Sequence, residues 1–254
     1  MELKYDNLIV ASQGSQGIHL IRKLFEFGIS ISNLNIITEE NVSSNKPFID
    51  FLEYYRINYF IITNKNDLDI YFSQIDKRSL LISFSFRYIF QKSHLEIINY
   101  MAINFHPGRL PYYKGSFSTS WSLINGESKV GYAYHMIHEK VDSGDIVFEE
   151  EISISKYDNA FTLNHKIFNS AINHLQKVFF NLEKGDFKKQ KIDIGKFYYS
   201  KLPFDGIIQQ NWELEKIERF IKAMYFPPLK GAIYIKNDLQ YEIFSIEQYL
   251  ELLN

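Results

Sequence analysis

The chain of 254 residues contains no cysteine. Disulfides, thiolate metal sites and cysteine nucleophiles are thereby excluded. It also lacks a basic excess: 28 lysines and arginines stand against 30 acidic residues, for a net charge of −2. Nucleic-acid binders usually carry a clear basic excess or stripe. The densest basic patch here, Lys188-Lys189-Gln190-Lys191, reads as an exposed turn, and the acidic run Glu149-Glu150-Glu151 as a solvated face. No apolar run reaches the ~20 residues of a membrane-crossing helix. Met1 to Asp6 shows no apolar signal segment, and there is neither an internal repeat nor a low-complexity linker. The expectation is a cytoplasmic protein without nucleic-acid or membrane partners.

What is present is a globular composition, 46% hydrophobic and 23% charged, with 22 Phe and 18 Tyr to fill a core. Short apolar runs at Asn7–Ala11, Leu34–Thr38, Tyr59–Thr63 and Leu80–Phe86 read as buried strands, as does a run ending at His106. Helical spacing separates them at Ile18–Phe25, Phe48–Tyr55, Leu68–Ile75 and Leu95–Tyr100. Strands alternating with helices imply a doubly wound, Rossmann-like α/β fold with a mostly parallel sheet and right-handed crossovers. Two further strands are expected at Gly131–Ile137 and Ile146–Ile152, then one long helix at Ala160–Leu182. Past Gly185 the character changes: Lys189–Ile194 and Tyr198 read as extended, Pro203 to Gly206 as a turn, Leu214–Met224 as a helix, and Ala232–Ile235 with Leu239–Phe244 as a hairpin. The division expected is 1–200 for a catalytic domain and 201–254 for a small extension with a helix and a β-hairpin.

The most informative stretch is Asn104-Phe105-His106-Pro107-Gly108-Arg109-Leu110-Pro111-Tyr112-Tyr113-Lys114-Gly115. If a strand ends at His106, Asn104 and His106 share one face and Phe105 the other. Pro107 stops the strand, having no N–H for a ladder. An amide donor and an imidazole then stand at the sheet edge where α/β proteins place their sites. The run Val141-Asp142-Ser143-Gly144-Asp145-Ile146 follows after a strand, a turn and a helix, so Asp142 can return to the same edge. Asp-Ser-Gly alone is a common turn, and His19, His94, His165 and His174 read as ordinary core or surface residues.

Asn-x-His-Pro, Leu-Pro-x-x-x-Gly and Asp-x-Gly-x-Ile, in this order and spacing, resemble the signature of the folate-dependent formyltransferases. That family includes glycinamide ribonucleotide, methionyl-tRNA and sugar-nucleotide N-formyltransferases. The resemblance implies transfer of a formyl group from 10-formyltetrahydrofolate to a primary amine, with no metal. It implies Asn104, His106 and Asp142 as catalytic residues. Asn104 would stabilise the oxygen that gains charge, and either His106 or Asp142 would carry the proton. It implies main-chain recognition of the pterin by Tyr88-Ile89-Phe90 and His138-Glu139-Lys140-Val141. One departure stands out: many relatives carry Arg and then Pro after the motif's glycine, and this chain has Ser116-Phe117-Ser118.

For the acceptor, Gln13, Gly14 and Ser15 at a helix start offer N–H groups to a phosphate, or form a tight turn. Tyr113 and Lys114 lie in the motif loop. Met224 to Ala232 resembles a segment near the nucleotide in sugar-nucleotide enzymes, where Tyr225 or Phe226 would stack on a base. The residues after Ser200 are too few and too acidic for a tRNA-binding domain, and a glycinamide ribonucleotide enzyme lacks such an extension. The resemblance is therefore greatest to sugar-nucleotide N-formyltransferases, working as homodimers on a nucleotide-linked amino sugar for surface polysaccharide (O-antigen) synthesis. The leading acceptor is dTDP-4-amino-4,6-dideoxy-D-glucose, with the 3-amino isomer as alternative. A non-catalytic folate- or nucleotide-binding protein, and a hydrolase releasing formate, are the competing classes.

Overall fold

Six-residue apolar runs separated by amphipathic stretches build the first part of the chain, in a computed structural model that describes residues 7–40, 43–75, 78–191 and 194–253. In chain order these are β1 (Asn7–Ser12), α1 (Gly14–Glu26), β2 (Leu34–Glu39), α2 (Lys46–Tyr54), β3 (Tyr59–Ile62), α3 (Lys65–Phe72), β4 (Ser79–Phe84), α4 (Lys92–Ile97) and β5 (Ala102–His106). Then come β6 (Tyr113–Gly115), α5 (Ser118–Ile124), β7 (Lys129–Met136), β8 (Ile146–Ser153), α6 (Ala160–Asn173) and α7 (Leu175–Lys184). The chain closes with β9 (Lys196–Tyr198), α8 (Leu214–Met224), β10 (Ala232–Lys236), β11 (Leu239–Ile243) and α9 (Ile246–Leu253).

The main sheet has seven strands in the order β3-β2-β1-β4-β5-β7-β8. β1 runs parallel to β2 and β4, β2 to β3, and β4 to β5. The expected Rossmann-like, mostly parallel α/β fold is what forms. The order reverses direction between β1 and β4, the switch point at which open α/β sheets leave a crevice at their carboxyl ends.

The described chain divides into two compact units. The first comprises residues 1–106, 134–148 and 172–190. Its core joins Ile9, Ile37, Ile62, Leu81 and Ala102 of the strands to Leu68, Phe72, Phe90 and Leu95. α1 buries Leu20, Ile21 and Leu24 completely, each contributing about 1.5–3 kcal/mol. Its Gly17 faces the Phe48 ring of α2, so closely that an added Cβ would stand 2.7 Å from the ring.

The second unit comprises residues 107–133, 149–171 and 191–254. Here β6 pairs in parallel with β9, Tyr113 opposite Lys196 and Gly115 opposite Tyr198. Gly115 has φ +84°, and a Cβ on it would lie 2.1 Å from the Tyr198 carbonyl oxygen, so only glycine lets these strands meet. α5 and α8 are joined by Ser120 Oγ donating to the Ala223 carbonyl at 2.9 Å and Arg219 Nε to the Ile124 carbonyl at 3.3 Å. β10 and β11 form the expected antiparallel hairpin. Residues 201–253 all lie in this unit, together with the motif loop.

Two expectations need correction. The single helix over Ala160–Leu182 is two helices, α6 and α7, broken at His174 with φ −92° and ψ 2°. Those angles are close enough to helical that the apolar spacing runs on through the break. The extended stretch Lys189–Ile194 lies partly outside the described residues. Just before it Lys188 bridges to Ile146, and the strand that forms is Lys196–Tyr198, which includes the Tyr198 also expected to be extended.

Gly17→Ala is expected to lower unfolding free energy by about 1–3 kcal/mol, the usual cost of overpacking. Urea melts check this, and adding Phe48→Leu should recover part of the loss. An unchanged midpoint for Gly17→Ala would refute the packing argument.

Candidate active site

β5 ends on the motif, and its register with β4 sets Ser83 against Asn104 and Phe84 against Phe105. Phe105 turns into the core and stacks on Phe84 with ring centroids 4.4 Å apart. Asn104 and His106 therefore share the opposite face, Asn104 half-buried and His106 buried.

The turn after β7 brings in the third group. Asp142 has φ +52°, a left-handed conformation that aspartate tolerates better than most residues. Gly144 makes the turn possible: a Cβ there would lie 1.8 Å from the Met136 carbonyl oxygen. The Met136 N–H donates to the Asp145 carbonyl at 2.8 Å, Ser143 Oγ to the Lys140 carbonyl at 2.7 Å, and Gln190 Nε2 to the Gly144 carbonyl at 2.5 Å.

Held this way, the buried Asp142 carboxylate lies between two imidazoles. Oδ2 is 3.4 Å from His106 Nδ1 and Oδ1 is 3.3 Å from His135 Nε2. His135 Nε2 is also 3.2 Å from Asn104 Nδ2, and its Nδ1 is 2.9 Å from the Met136 carbonyl oxygen. Burying a carboxylate is costly unless it is paired, and the His106 ring stands against one of its oxygens, able to donate. His135 received no role from the sequence. The one available signal was its place on β7, which returns beside β5, seven residues before Asp142. All four side chains belong to the first unit. They bring together an amide, an imidazole at a strand end and a carboxylate. Among the described residues, no group of three or more His, Asp or Glu side chains is arranged to hold a metal ion.

The other expected residues fall in several places. Tyr88, Ile89 and Phe90 follow β4 at the carboxyl edge of the sheet: Ile89 is exposed, Phe90 is a core residue, and Tyr88 Oη donates to the Thr63 carbonyl at 2.8 Å. His138, Glu139, Lys140 and Val141 form the exposed loop leading into Asp142. Glu139 reaches Lys92 at 3.4 Å, at the start of α4 just beyond Phe90, so the two stretches lie close together. Neither belongs to a strand or helix, which leaves main-chain groups for a ligand. Gln13, Gly14 and Ser15 cap α1 at the same edge, but the Gly14 N–H already donates to Asn45 Oδ1 at 2.9 Å.

Tyr113, Lys114, Tyr225 and Phe226 belong to the second unit. Tyr113 is buried, its hydroxyl donating to Glu127 at 2.7 Å; desolvation, chiefly, pushes its pKa up to about 12. Lys114 Nζ donates to the Ile194 carbonyl at 3.2 Å. Tyr225 and Phe226 follow α8, half-buried: the Tyr225 carbonyl accepts from the Phe161 N–H at 3.2 Å, and the Phe226 ring meets Phe161 edge-on at 5.7 Å. Phe117, in the divergent Ser-Phe-Ser segment, has φ +57° at the cap of α5.

Residues 74–179 match the formyl transferase family. The matched stretch spans Asn104, His106, His135 and Asp142, in keeping with the expected enzyme class. Over 246 residues, 97% of this chain and 95% of the relative, the sequence is 29% identical to the GDP-perosamine N-formyltransferase of Brucella melitensis. Among solved structures, the fold is similar to WlaRD, a sugar 3N-formyl transferase crystallised with dTDP and 5-N-formyl-THF (TM-score 0.75, 19% identity, 94% of this chain and 85% of that one). It is also similar to a 4-N formyltransferase from Francisella tularensis (TM-score 0.74, 20% identity, covering 94% and 97%).

Gly144→Ala is expected to destabilise by about 2–4 kcal/mol, because its Cβ meets a main-chain oxygen that cannot yield. Gly185→Ala, with φ +66° but open space around the Cβ, should cost only the left-handed penalty of about 1–2 kcal/mol. Denaturant melts of the two variants check the ranking.

Proposed function

We propose that the protein is an N-formyltransferase that moves a formyl group from 10-formyltetrahydrofolate to the amine of a nucleotide-linked amino sugar. The carrying observation is the cluster of half-buried Asn104 with buried His106 and Asp142 inside the stretch that matches the formyl transferase family. In the reaction, the neutral amine attacks the formyl carbon, a C–N bond forms, and the bond to the folate N10 breaks while the amine's proton passes to N10.

Asn104 is assigned the developing oxyanion, a donor worth about 3 kcal/mol when preorganised. Asp142, 3.4 Å from His106 Nδ1, favours the tautomer protonated there, which makes Nε2 the basic nitrogen for the amine's proton. Tyr88 to Phe90 and His138 to Val141 suit a pterin held by main chain, since both stretches lie outside the ladder and the helices.

The acceptor is read as a 4-amino sugar, for which the Brucella and Francisella relatives are the support. dTDP-4-amino-4,6-dideoxy-D-glucose leads the dTDP-linked candidates and GDP-perosamine the GDP-linked ones. The likeness to WlaRD keeps the 3-amino isomer in the test. Incubation with 10-formyltetrahydrofolate and this panel, read by mass spectrometry, should show a single formyl mass gain on one 4-amino sugar. Formate release without any acceptor would instead identify a hydrolase.

Asn104→Ala is expected to lower kcat by about 100- to 1,000-fold, the usual cost of one oxyanion donor. His106→Ala should lower it comparably, by about 100- to 10,000-fold. Steady-state kinetics check both, and wild-type rates in either variant would remove that residue from the chemistry.

A further inference from the structure

We propose that His135 is a positioning residue that decides which end of the Asn104 amide is presented to the reacting formyl oxygen. The inference rests on the formyl-transfer reading above. A side-chain amide has two ends of similar shape and opposite character: the NH2 end donates and the carbonyl end only accepts. Only the NH2 end stabilises an oxyanion. The reversed amide would set a carbonyl oxygen against the growing charge. Nothing in an asparagine at a strand end selects between the two orientations by itself.

His135 supplies the selection. Its Nδ1 is 2.9 Å from the Met136 carbonyl oxygen. A carbonyl can only accept, so Nδ1 carries the hydrogen. In the neutral ring Nε2 is then a bare acceptor, and it lies 3.2 Å from Asn104 Nδ2. One amide N–H is spent there, which leaves the second for a ligand oxygen. Reversing the amide would place Oδ1 against Nε2, two acceptors with no proton between them.

The tautomer is in turn fixed by the turn that carries Asp142. The Met136 peptide is pinned by its N–H to the Asp145 carbonyl at 2.8 Å and by the close approach that only Gly144 allows. The charged and titratable groups facing His135 are Asp142, with Oδ1 at 3.3 Å, and His106, with ring centroids 6.5 Å apart. Protonation of Nε2 would turn it toward Asp142 and release the amide, so the selection requires a bare Nε2. The same turn thus sets both the carboxylate beside His106 and the donor on Asn104.

The test joins a tautomer measurement to kinetics. In protein labelled with 15N-histidine, long-range 1H–15N spectra, assigned with the His135→Gln variant, should show protonated Nδ1 and bare Nε2 at neutral pH. A protonated Nε2 would overturn the proposal. In kinetics, His135→Leu should lower kcat by about 100-fold, approaching the cost of losing the donor itself, with KM for donor and acceptor nearly unchanged. His135→Gln keeps an oxygen able to accept from Asn104 Nδ2, so it should recover most of that kcat. Adding Asn104→Ala to His135→Leu should cost little more, as expected for residues acting through one contact. Equal losses in the glutamine and leucine variants would also overturn it. If the wild type formylates no amino sugar, the functional reading fails, while the nitrogen spectra still decide whether His135 accepts from Asn104.

Discussion

A carboxylate that has left water is the constraint around which the site is arranged. Asp142 is almost fully buried, and a buried charge persists only where partners compensate its lost hydration. The chain places His106 Nδ1 at one oxygen as a donor, and His135 lies at the other, where it meets Asn104 as well. Each of those rings has to come from a strand: His106 from the last position of β5, His135 from the next-to-last of β7, neighbours in the sheet. The sheet order is thus the means by which the carboxylate's partners are delivered. The left-handed backbone at Asp142 and the glycine two residues on are what let the turn reach back to them.

Much of this was legible before any coordinates. Alternating apolar strands and amphipathic helices specified the doubly wound sheet, because strands buried on both faces read as continuous aliphatic runs. The two-residue spacing of Asn104 and His106 specified a shared face, and Pro107 specified where the strand stops. Asp142 was legible through its order relative to the other two. His135 was not, since a histidine in an aliphatic strand has no local pattern to separate a structural ring from one that meets a buried carboxylate. Its role exists only in the pairing of non-consecutive strands.

The elements missed share a physical cause. β6 is three residues long and exists because Gly115 lets Tyr198 approach, a contact across more than eighty residues of chain. α9 is a single eight-residue amphipathic segment that buries little beyond Tyr249, against Tyr234 at 4.9 Å. The break at His174 departs from helical angles by too little to disturb an apolar period. In each case tertiary contact, and not local preference, decides the outcome. The acceptor residues were hardest for the same reason: Tyr113 and Lys114 look like recognition residues in a loop motif, yet their polar ends reach Glu127 and the Ile194 carbonyl within the unit.

The peptide bond joining His106 to Pro107 is also the first boundary between the two compact units. Asn104, His106, His135 and Asp142 lie before that bond or return to its side of the boundary, while the motif loop and the residues from Lys191 onward lie on the other. The contacts of Asp142 with His106 and His135 both fall within the first unit. The chain crosses that boundary directly after the strand that carries Asn104 and His106, so the strand end and the loop that follows it fold with different cores.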